Sequence, residues 1–207
     1  SSSLVGSEMC IRDSNEEMIP FFVTAKQGKP QSRICVLIPS FTYTVYANIA
    51  RGNTNKKMLE RIKEWSASPW TTDNFPQFGL STYNYHSDGS GISSSSRRRP
   101  ILTMRSNVIS YPGVPGSGCR HFPADSHLWY WLTTKGYEFD VITDDELHKY
   151  GLAAIEKYSV VVTCSHPEYH TPQSLNALQE YTNTGGHLMY LGGNAVSYTH
   201  LRAHETR

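Results

Sequence analysis

The stretch SVVVTCSHPEY at residues 159–169 constrains the fold of this chain more than any other part of it. The stretch begins as an unbroken run of β-branched and apolar residues and ends in a polar cluster that contains His166 and Glu168. A continuous apolar run, rather than an alternating one, is typical of a parallel strand that is buried on both faces. Open parallel sheets bind ligands where their strands end. We therefore expect Glu168 to be a functional residue.

Helix and strand signals alternate at short spacing through the second half of the chain. In chain order, the predicted elements are a helix over 125–135 with Leu128, Trp131 and Leu132 on one face, a strand over 137–142, a helix opened by a capping box at 143–146, a strand over 159–164, a helix capped by Thr171 and ended by Gly185 and Gly186, and a strand over 187–191. Such alternation is typical of βαβ units. We predict an α/β protein with a parallel sheet flanked by helices.

The first half of the chain gives weaker signals. Residues 34–39 (ICVLIP) predict a second buried strand, and residues 41–48 (FTYTVYAN) predict a polar and aromatic loop at its exit. A weak helical period runs over 56–67, and residues 1–14 have no helical or strand period. The arginines at 97–99 are followed at once by Pro100 and an apolar stretch, so we expect a structural turn rather than a phosphate-binding site.

The net charge argues against two classes of partner. A formal charge of +1 lacks the basic excess that nucleic-acid and membrane-surface binding require. No apolar stretch approaches the about 18 residues that span a bilayer, and the start of the chain lacks the pattern of a secretory signal. The four cysteines have no metal-binding or disulfide-dense spacing, and Cys35 and Cys164 lie inside apolar runs. These features predict a cytoplasmic protein.

Both ends of the chain resemble translated sequencing-adapter sequence. The resemblance covers SSSLVGSEMCIRDS at residues 1–14 and AVSYTHLRAHETR at residues 195–207. We therefore set both segments aside, as is done with sequence scars, and give Cys10, His200 and His204 no functional weight. Residues 15–194 would then be an incomplete α/β domain, a fragment of a longer chain.

Polar side chains follow three of the predicted strands. They are Tyr43 and Tyr46 after the strand over 34–39, His166 and Glu168 after the strand over 159–164, and Asn194 after the strand over 187–191. Because parallel strands end at one edge of a sheet, we expect these residues to meet in one crevice. A loop that carries Tyr83, Tyr85, His86 and Asp88 would be able to fold over it.

Tyrosines beside a carboxylate suit a hard, strongly Lewis-acidic metal. A neutral tyrosine has a pKa of about 10 and is a poor acid or base at neutral pH. A trivalent metal lowers that pKa, because metal ligands bind in their deprotonated form. An all-oxygen set with phenolates suits Fe(III), whereas zinc usually takes His or Cys. With thirteen tyrosines in the chain, chance pairs are expected, so composition alone favours simple packing and hydrogen bonding of these side chains over a metal site.

Several blocks resemble, in the same order, the large subunit of N,N-dimethylformamidase. The blocks are PSFTYTVYAN, LSTYNYHSDGSG, SRRRP, FPADSHLWYWL, YEFDVITDDELH, TCSHPEY and GGHLMYLGGN. The resemblance implies a glutamine-amidotransferase-like fold, similar to flavodoxin and Rossmann folds, with a mononuclear iron held by two tyrosines and one glutamate. The ligands it implies are Tyr46, Tyr83 and Glu168, with Tyr43 and Tyr85 as close rivals.

The resemblance also implies a reaction. An iron-dependent amidohydrolase would cleave the C–N bond of N,N-dimethylformamide or a related small amide, giving formate and dimethylamine, and would pair with a small subunit. His166 would orient a ligand or water and Asn194 would hydrogen-bond the substrate, while His86 and Asp88 stay open between a site role and a turn. We expect the fragment alone to be inactive.

Two other functions stay open at this point. One is an amidotransferase-like domain that binds or assembles without a metal. The other is a cysteine hydrolase that uses Cys164 with His166, although residues so close in sequence rarely reach attack geometry and no nucleophile-elbow motif surrounds Cys164.

Overall fold

The computed structural model describes residues 5–12, 15–49, 60, 62–64, 66, 72–105, 108 and 120–193. For residues 5–12, 15–19 and 73 it describes the backbone alone. The chain forms two compact units. The sheet unit comprises Ser1–Thr42 and Leu128–Arg207, and the tyrosine unit comprises Tyr43–His127. The weak helical period over 56–67 falls mostly outside the described residues.

A β-hairpin opens the sheet unit. Strand β1 (Val5–Arg12) pairs antiparallel with β2 (Asn15–Phe22), with Val5 opposite Phe22 and Arg12 opposite Asn15. The side-chain pattern predicts no strand in residues 1–14, and β1 departs from that expectation. A strand pair is held by backbone hydrogen bonds, which need no periodic side-chain pattern.

Four parallel strands form the centre of the sheet unit. They are β3 (Ile34–Ile38), β4 (Asp140–Thr143), β5 (Val160–Thr163) and β6 (His187–Met189), in the spatial order β4-β3-β5-β6. Val36 of β3 lies opposite Val141 of β4 and Val162 of β5. All three pairings are parallel, so the strands end at the same edge. The predicted α/β class is confirmed.

Within the described residues, four helices with defined bounds connect or flank these strands. They are α1 (Ser40–Val45), α2 (Phe122–Thr134), α3 (Asp144–Tyr150) and α4 (Pro172–Asn183), with short 3-10 turns at Thr72–Asn74, Pro76–Phe78, Leu102–Met104 and Gly151–Ala154. The main core cluster joins β3, β4, β5, α3 and α4 through Cys35, Leu37, Ile142, Leu147, Ile155, Tyr158, Val161, Leu178 and Tyr181. Within the described part of the chain, no helix is long and apolar enough to cross a bilayer.

Local sequence signals set the starts of α3 and α4. A capping box joins Thr143 to Glu146 at the start of α3, and the N–H of Thr143 donates to the Glu146 carboxylate at 2.8 Å. At α4, the N–H of Ser174 donates to the Thr171 hydroxyl at 3.2 Å, and Pro172 occupies the first turn. The strands and helices predicted beyond residue 120 agree with these bounds to within three residues.

The predicted loop over 41–48 is wrong in its first half, because residues 40–45 form α1. The N–H of Phe41 donates to the buried Asp144 carboxylate at 3.1 Å, and the Ser40 hydroxyl donates to Asp145 at 3.0 Å. These acceptors lie about a hundred residues away in the chain. The helix start is therefore stabilised by contacts that no local pattern contains.

The predicted buried face of α2 is also wrong in part. Trp131 is 51% exposed, whereas Trp129 is 5% exposed and meets Phe22 edge-on with ring centroids 5.8 Å apart. The helix begins at Phe122, three residues before the predicted start. Its buried side chains include Phe122, Asp125, Trp129 and Leu132. This spacing is an ordinary helical stripe, rotated from the predicted one.

Asp140 joins the loop before β3 to the start of β4. Its carboxylate accepts hydrogen bonds from the N–H of Gln31 at 2.7 Å, the N–H of Ser32 at 3.2 Å and the hydroxyl of Tyr158 at 3.0 Å. The pKa of Tyr158 is raised above its ordinary value, mainly by burial and then by nearby negative groups that include Asp140. The phenol therefore stays a donor at neutral pH.

Two side chains organise much of the tyrosine unit. Asn48 donates from its amide to the carbonyl of Pro100 at 2.8 Å and accepts the N–H of Leu102 at 2.8 Å. Arg99 donates to the carbonyls of Ala47, Phe78, Leu80 and Ser96 and to the hydroxyl of Ser95. The arginine run therefore contributes a structural turn, as its sequence context predicts.

Candidate active site

His166 and Glu168 lie together just beyond the carboxyl end of β5. The ring Nε2 of His166 is 3.0 Å from the carboxylate Oε2 of Glu168. Their side chains are 22% and 12% exposed. The pair lies at the end of a parallel strand, as the sequence predicts, and its role in a site stays a prediction.

The loop over 165–170 that carries this pair is held through its backbone. The Thr42 hydroxyl accepts the N–H of Glu168 at 3.1 Å and the N–H of Tyr169 at 3.3 Å. The carbonyl of Pro167 accepts the Tyr190 hydroxyl and the His170 ring, each at 3.1 Å. Burial, followed by the Glu168 charge, raises the pKa of Tyr190 to about 12, and burial lowers the pKa of His170. Both groups are therefore neutral donors at neutral pH.

A second loop, after β6, packs against the first. The N–H of Leu191 donates to the buried Thr163 hydroxyl at 3.0 Å. Gly193 lies so close that an added Cβ would be 3.1 Å from the Cα of His166 and 3.2 Å from the nitrogen of Pro167. Asn194, the next predicted site residue, lies outside the described residues.

Tyr46 and Tyr83 form a stacked pair in the tyrosine unit. Their ring centroids are 4.4 Å apart with 12° between the planes, and their hydroxyl oxygens are 3.0 Å apart. Tyr46 is buried at the end of α1. Tyr83 is placed by Ser81, whose hydroxyl donates to the carbonyl of Val45 at 2.7 Å and accepts the N–H of Tyr83 at 3.2 Å. Two phenol oxygens this close are able to bind one ion.

Two residues that no sequence pattern singles out lie beside Tyr46. The His121 ring lies 4.3 Å from the Tyr46 ring, and the Arg120 guanidinium lies 4.9 Å from the same centroid. Arg120 donates from Nε to Nε2 of His121 at 3.0 Å. His121 is buried and has φ of +54°, an uncommon conformation for a residue other than glycine. Pro123 marks the helix start that follows, but no local signal reveals the contact with Tyr46.

The alternative site residues have other surroundings. The Tyr43 hydroxyl donates to the buried carboxylate of Asp125. Tyr85 is 69% exposed. Asp88 accepts the N–H of Ser90 at 2.9 Å and its hydroxyl at 2.7 Å, and these hydrogen bonds lower the pKa of Asp88.

His86 belongs to the same exposed turn, where its N–H donates to the carbonyl of Ser90 at 2.8 Å. The turn interpretation therefore accounts for the contacts described for His86 and Asp88. Across the described ranges, no three His, Cys, Asp or Glu side chains form a group that could hold a metal. Cys164 is fully buried, so a substrate cannot reach its thiol.

The fold and these side chains define an α/β protein with polar loops at the carboxyl edge of a parallel sheet. A family model described as N,N-dimethylformamidase beta subunit-like, C-terminal, matches residues 8–207. The chain belongs to this family. The match extends into residues 1–14 and 195–207, and the domain boundaries stay predictions.

Two curated relatives are similar to most of the chain. The N,N-dimethylformamidase beta subunit of Paracoccus aminophilus is 35% identical over 186 residues, which is 88% of this chain and 24% of the relative. The protein of the same name from Alcaligenes sp is 34% identical over 198 residues, 89% of this chain and 24% of the relative. The chain thus spans about a quarter of the length of the relatives it matches.

Proposed function

We propose that this chain is part of an iron-dependent amide hydrolase. The substrate would be N,N-dimethylformamide or a related small amide, and cleavage of its C–N bond would give formate and dimethylamine. Family membership supports this proposal, because both relatives are named N,N-dimethylformamidase beta subunit. The observation that carries the metal part is the pair of phenol oxygens of Tyr46 and Tyr83, 3.0 Å apart.

Three oxygen donors are proposed as iron ligands: Tyr46, Tyr83 and Glu168. Phenols with a pKa of about 10 lose their protons only to a strong Lewis acid, which favours a trivalent ion. Phenolate and carboxylate oxygens are hard donors, so the chemistry of this set fits Fe(III). Tyr43 and Tyr85 are weaker candidates, because the Tyr43 hydroxyl is held by a buried carboxylate and Tyr85 is largely exposed.

Each remaining residue of the site would have a defined task. When bound, iron would supply a Lewis acid that polarises the amide carbonyl and acidifies water. His166, 3.0 Å from Glu168, would hold that carboxylate in one orientation. Asn194 would donate a hydrogen bond to the amide oxygen, where negative charge develops. Hydrolysis adds a hydroxyl to the carbonyl carbon and a proton to the departing dimethylamine.

Three further proposals concern the whole protein. The sheet unit would be part of a glutamine-amidotransferase-like fold. The words "beta subunit" in the names of the relatives support a hetero-oligomer with a small subunit. We also propose a cytoplasmic location, because the four cysteines of the sequence have no disulfide-dense spacing.

The test is the iron content of the full-length protein produced with its small subunit. Tyr46→Phe and Tyr83→Phe should each lose iron and the visible phenolate-to-iron absorption, because only the oxygen is removed. Tyr85→Phe is the matched control and should keep both. Iron that survives the first two changes would refute the ligand assignment. If the wild-type protein hydrolyses the amide without iron, the proposed metal dependence is refuted. If it neither binds iron nor hydrolyses the amide, the result supports a metal-free binding or assembly domain.

A further inference from the structure

Thr42 contacts the loop that carries Glu168 and has no part in the proposed reaction. Its side chain is fully buried within α1. The hydroxyl oxygen accepts the N–H groups of two consecutive residues, Glu168 at 3.1 Å and Tyr169 at 3.3 Å. A hydroxyl oxygen has two acceptor lone pairs, so these amides use its full accepting capacity.

The loop that receives this contact has no regular structure of its own. Residues 165–171 lie between the end of β5 and the start of α4. The N–H of Glu168 also donates to the carbonyl of His166 at 3.0 Å, a tight local bond across one residue. Buried backbone groups outside helices and sheets need side-chain partners, and Thr42 is such a partner for this loop.

We propose that Thr42 is a positioning residue that fixes the backbone of Glu168 and thereby aims its carboxylate. This inference rests on the proposed role of Glu168 as a metal ligand. Tyr190 and His170 hold the preceding carbonyl, that of Pro167, so the loop is fixed at three consecutive residues. Thr42 supplies two of these contacts and acts at Glu168 itself. A ligand carboxylate needs such support to keep its geometry.

The variants separate the hydroxyl from the rest of the side chain. Thr42→Val keeps the branched shape and removes the acceptor, whereas Thr42→Ser keeps the acceptor and removes a methyl group. Thr163→Val is the matched control, because Thr163 is equally buried and its hydroxyl accepts the N–H of Leu191 instead.

Amide hydrogen exchange in the metal-free full-length protein is the first measurement. In Thr42→Val, the Tyr169 amide should exchange about tenfold faster, as expected for the loss of one buried hydrogen bond. The effect at Glu168 should be smaller, because that amide keeps the His166 carbonyl. Thr42→Ser should exchange like the wild type, and Thr163→Val should change exchange at Leu191 alone. Unchanged exchange at Tyr169 in Thr42→Val would overturn the inference.

Iron affinity, measured by competition with a chelator, is the second measurement. It should fall about tenfold in Thr42→Val, the usual scale for a residue that supports a ligand. Thr42→Ser should restore the affinity and the phenolate-to-iron absorption. Wild-type affinity in Thr42→Val would overturn the positioning role. Wild-type protein that holds no iron would defeat the proposed function, and the exchange data would still decide whether Thr42 fixes Glu168.

Discussion

Replacement of Gly193 by alanine tests whether the two loops at the sheet edge form one site. Gly193 has φ of +100°, and a methyl group there would lie 3.1 Å from His166 Cα and 3.2 Å from the nitrogen of Pro167. Gly185 provides a matched control, because its φ is +94° and a methyl group would meet no atom within 4 Å. The two variants share the backbone strain and differ in the contact.

The expected losses in free energy of unfolding follow from these φ angles and contact distances. A positive φ costs an L-residue about 1–2 kcal/mol, which both variants should lose from their free energy of unfolding. Carbon atoms prefer separations of about 3.5–4.0 Å, so the His166 backbone must move by a few tenths of an ångström in Gly193→Ala. Overpacking of this kind costs a further 1–3 kcal/mol, roughly. Gly193→Ala should therefore be the less stable variant.

Urea unfolding gives the free energies, and amide hydrogen exchange shows where the change acts. Gly193→Ala should speed exchange across residues 166–169 and, in the full-length protein, should weaken iron binding. Gly185→Ala should leave both unchanged while it lowers stability. If the two variants match in stability and in exchange over 166–169, the packing of the loops does not shape the site.

Two further predictions concern the sheet unit. Burial raises the pKa of Asp144 from 3.8 to about 8, so the folded protein keeps a proton that the unfolded chain has lost. The free energy of unfolding should therefore fall as the pH rises from about 4 to 8. Urea unfolding of Asp144→Asn should show a smaller fall, and a fall equal to that of the wild type would show that Asp144 is not its source. Tyr158→Phe should cost about 1–2 kcal/mol and Asp140→Ala about 3 kcal/mol, because the latter also deprives two backbone amides of their acceptor. A double-mutant cycle should give about 1 kcal/mol of coupling, and simple additivity would contradict the direct bond.

The parallel sheet could be predicted because its signals are local. The apolar runs of β3 and β5, the capping box at Thr143 and the proline after Thr171 act within a few residues. α1 could not be predicted, since its start depends on Asp144, far away in the chain. Trp129 and Trp131 both suit a buried position by residue type, and the contact of Trp129 with Phe22, far away in the chain, distinguishes the buried one.

The candidate site could be predicted in part. His166 and Glu168 could be placed at the carboxyl edge of the sheet, because their position depends on one strand alone. The different partners of the Tyr43 and Tyr46 hydroxyls, Asp125 and Tyr83, depend on side-chain directions around α1, which the sequence does not fix. His121 and Thr42 act through contacts with residues more than 70 positions away, so no spacing rule reveals them.

Arg99 and Asn48 imply that the two units accumulate sequence change differently. In the parallel sheet, hydrogen bonds are shared among many backbone groups, and most side chains can be exchanged for others of similar size. In the tyrosine unit, one guanidinium joins segments around residues 47, 78–80 and 95–96. Lysine cannot reproduce its planar fork of donors. Positions in the sheet should therefore tolerate many substitutions, whereas Arg99 and Asn48 should tolerate few, although neither residue is proposed to touch substrate.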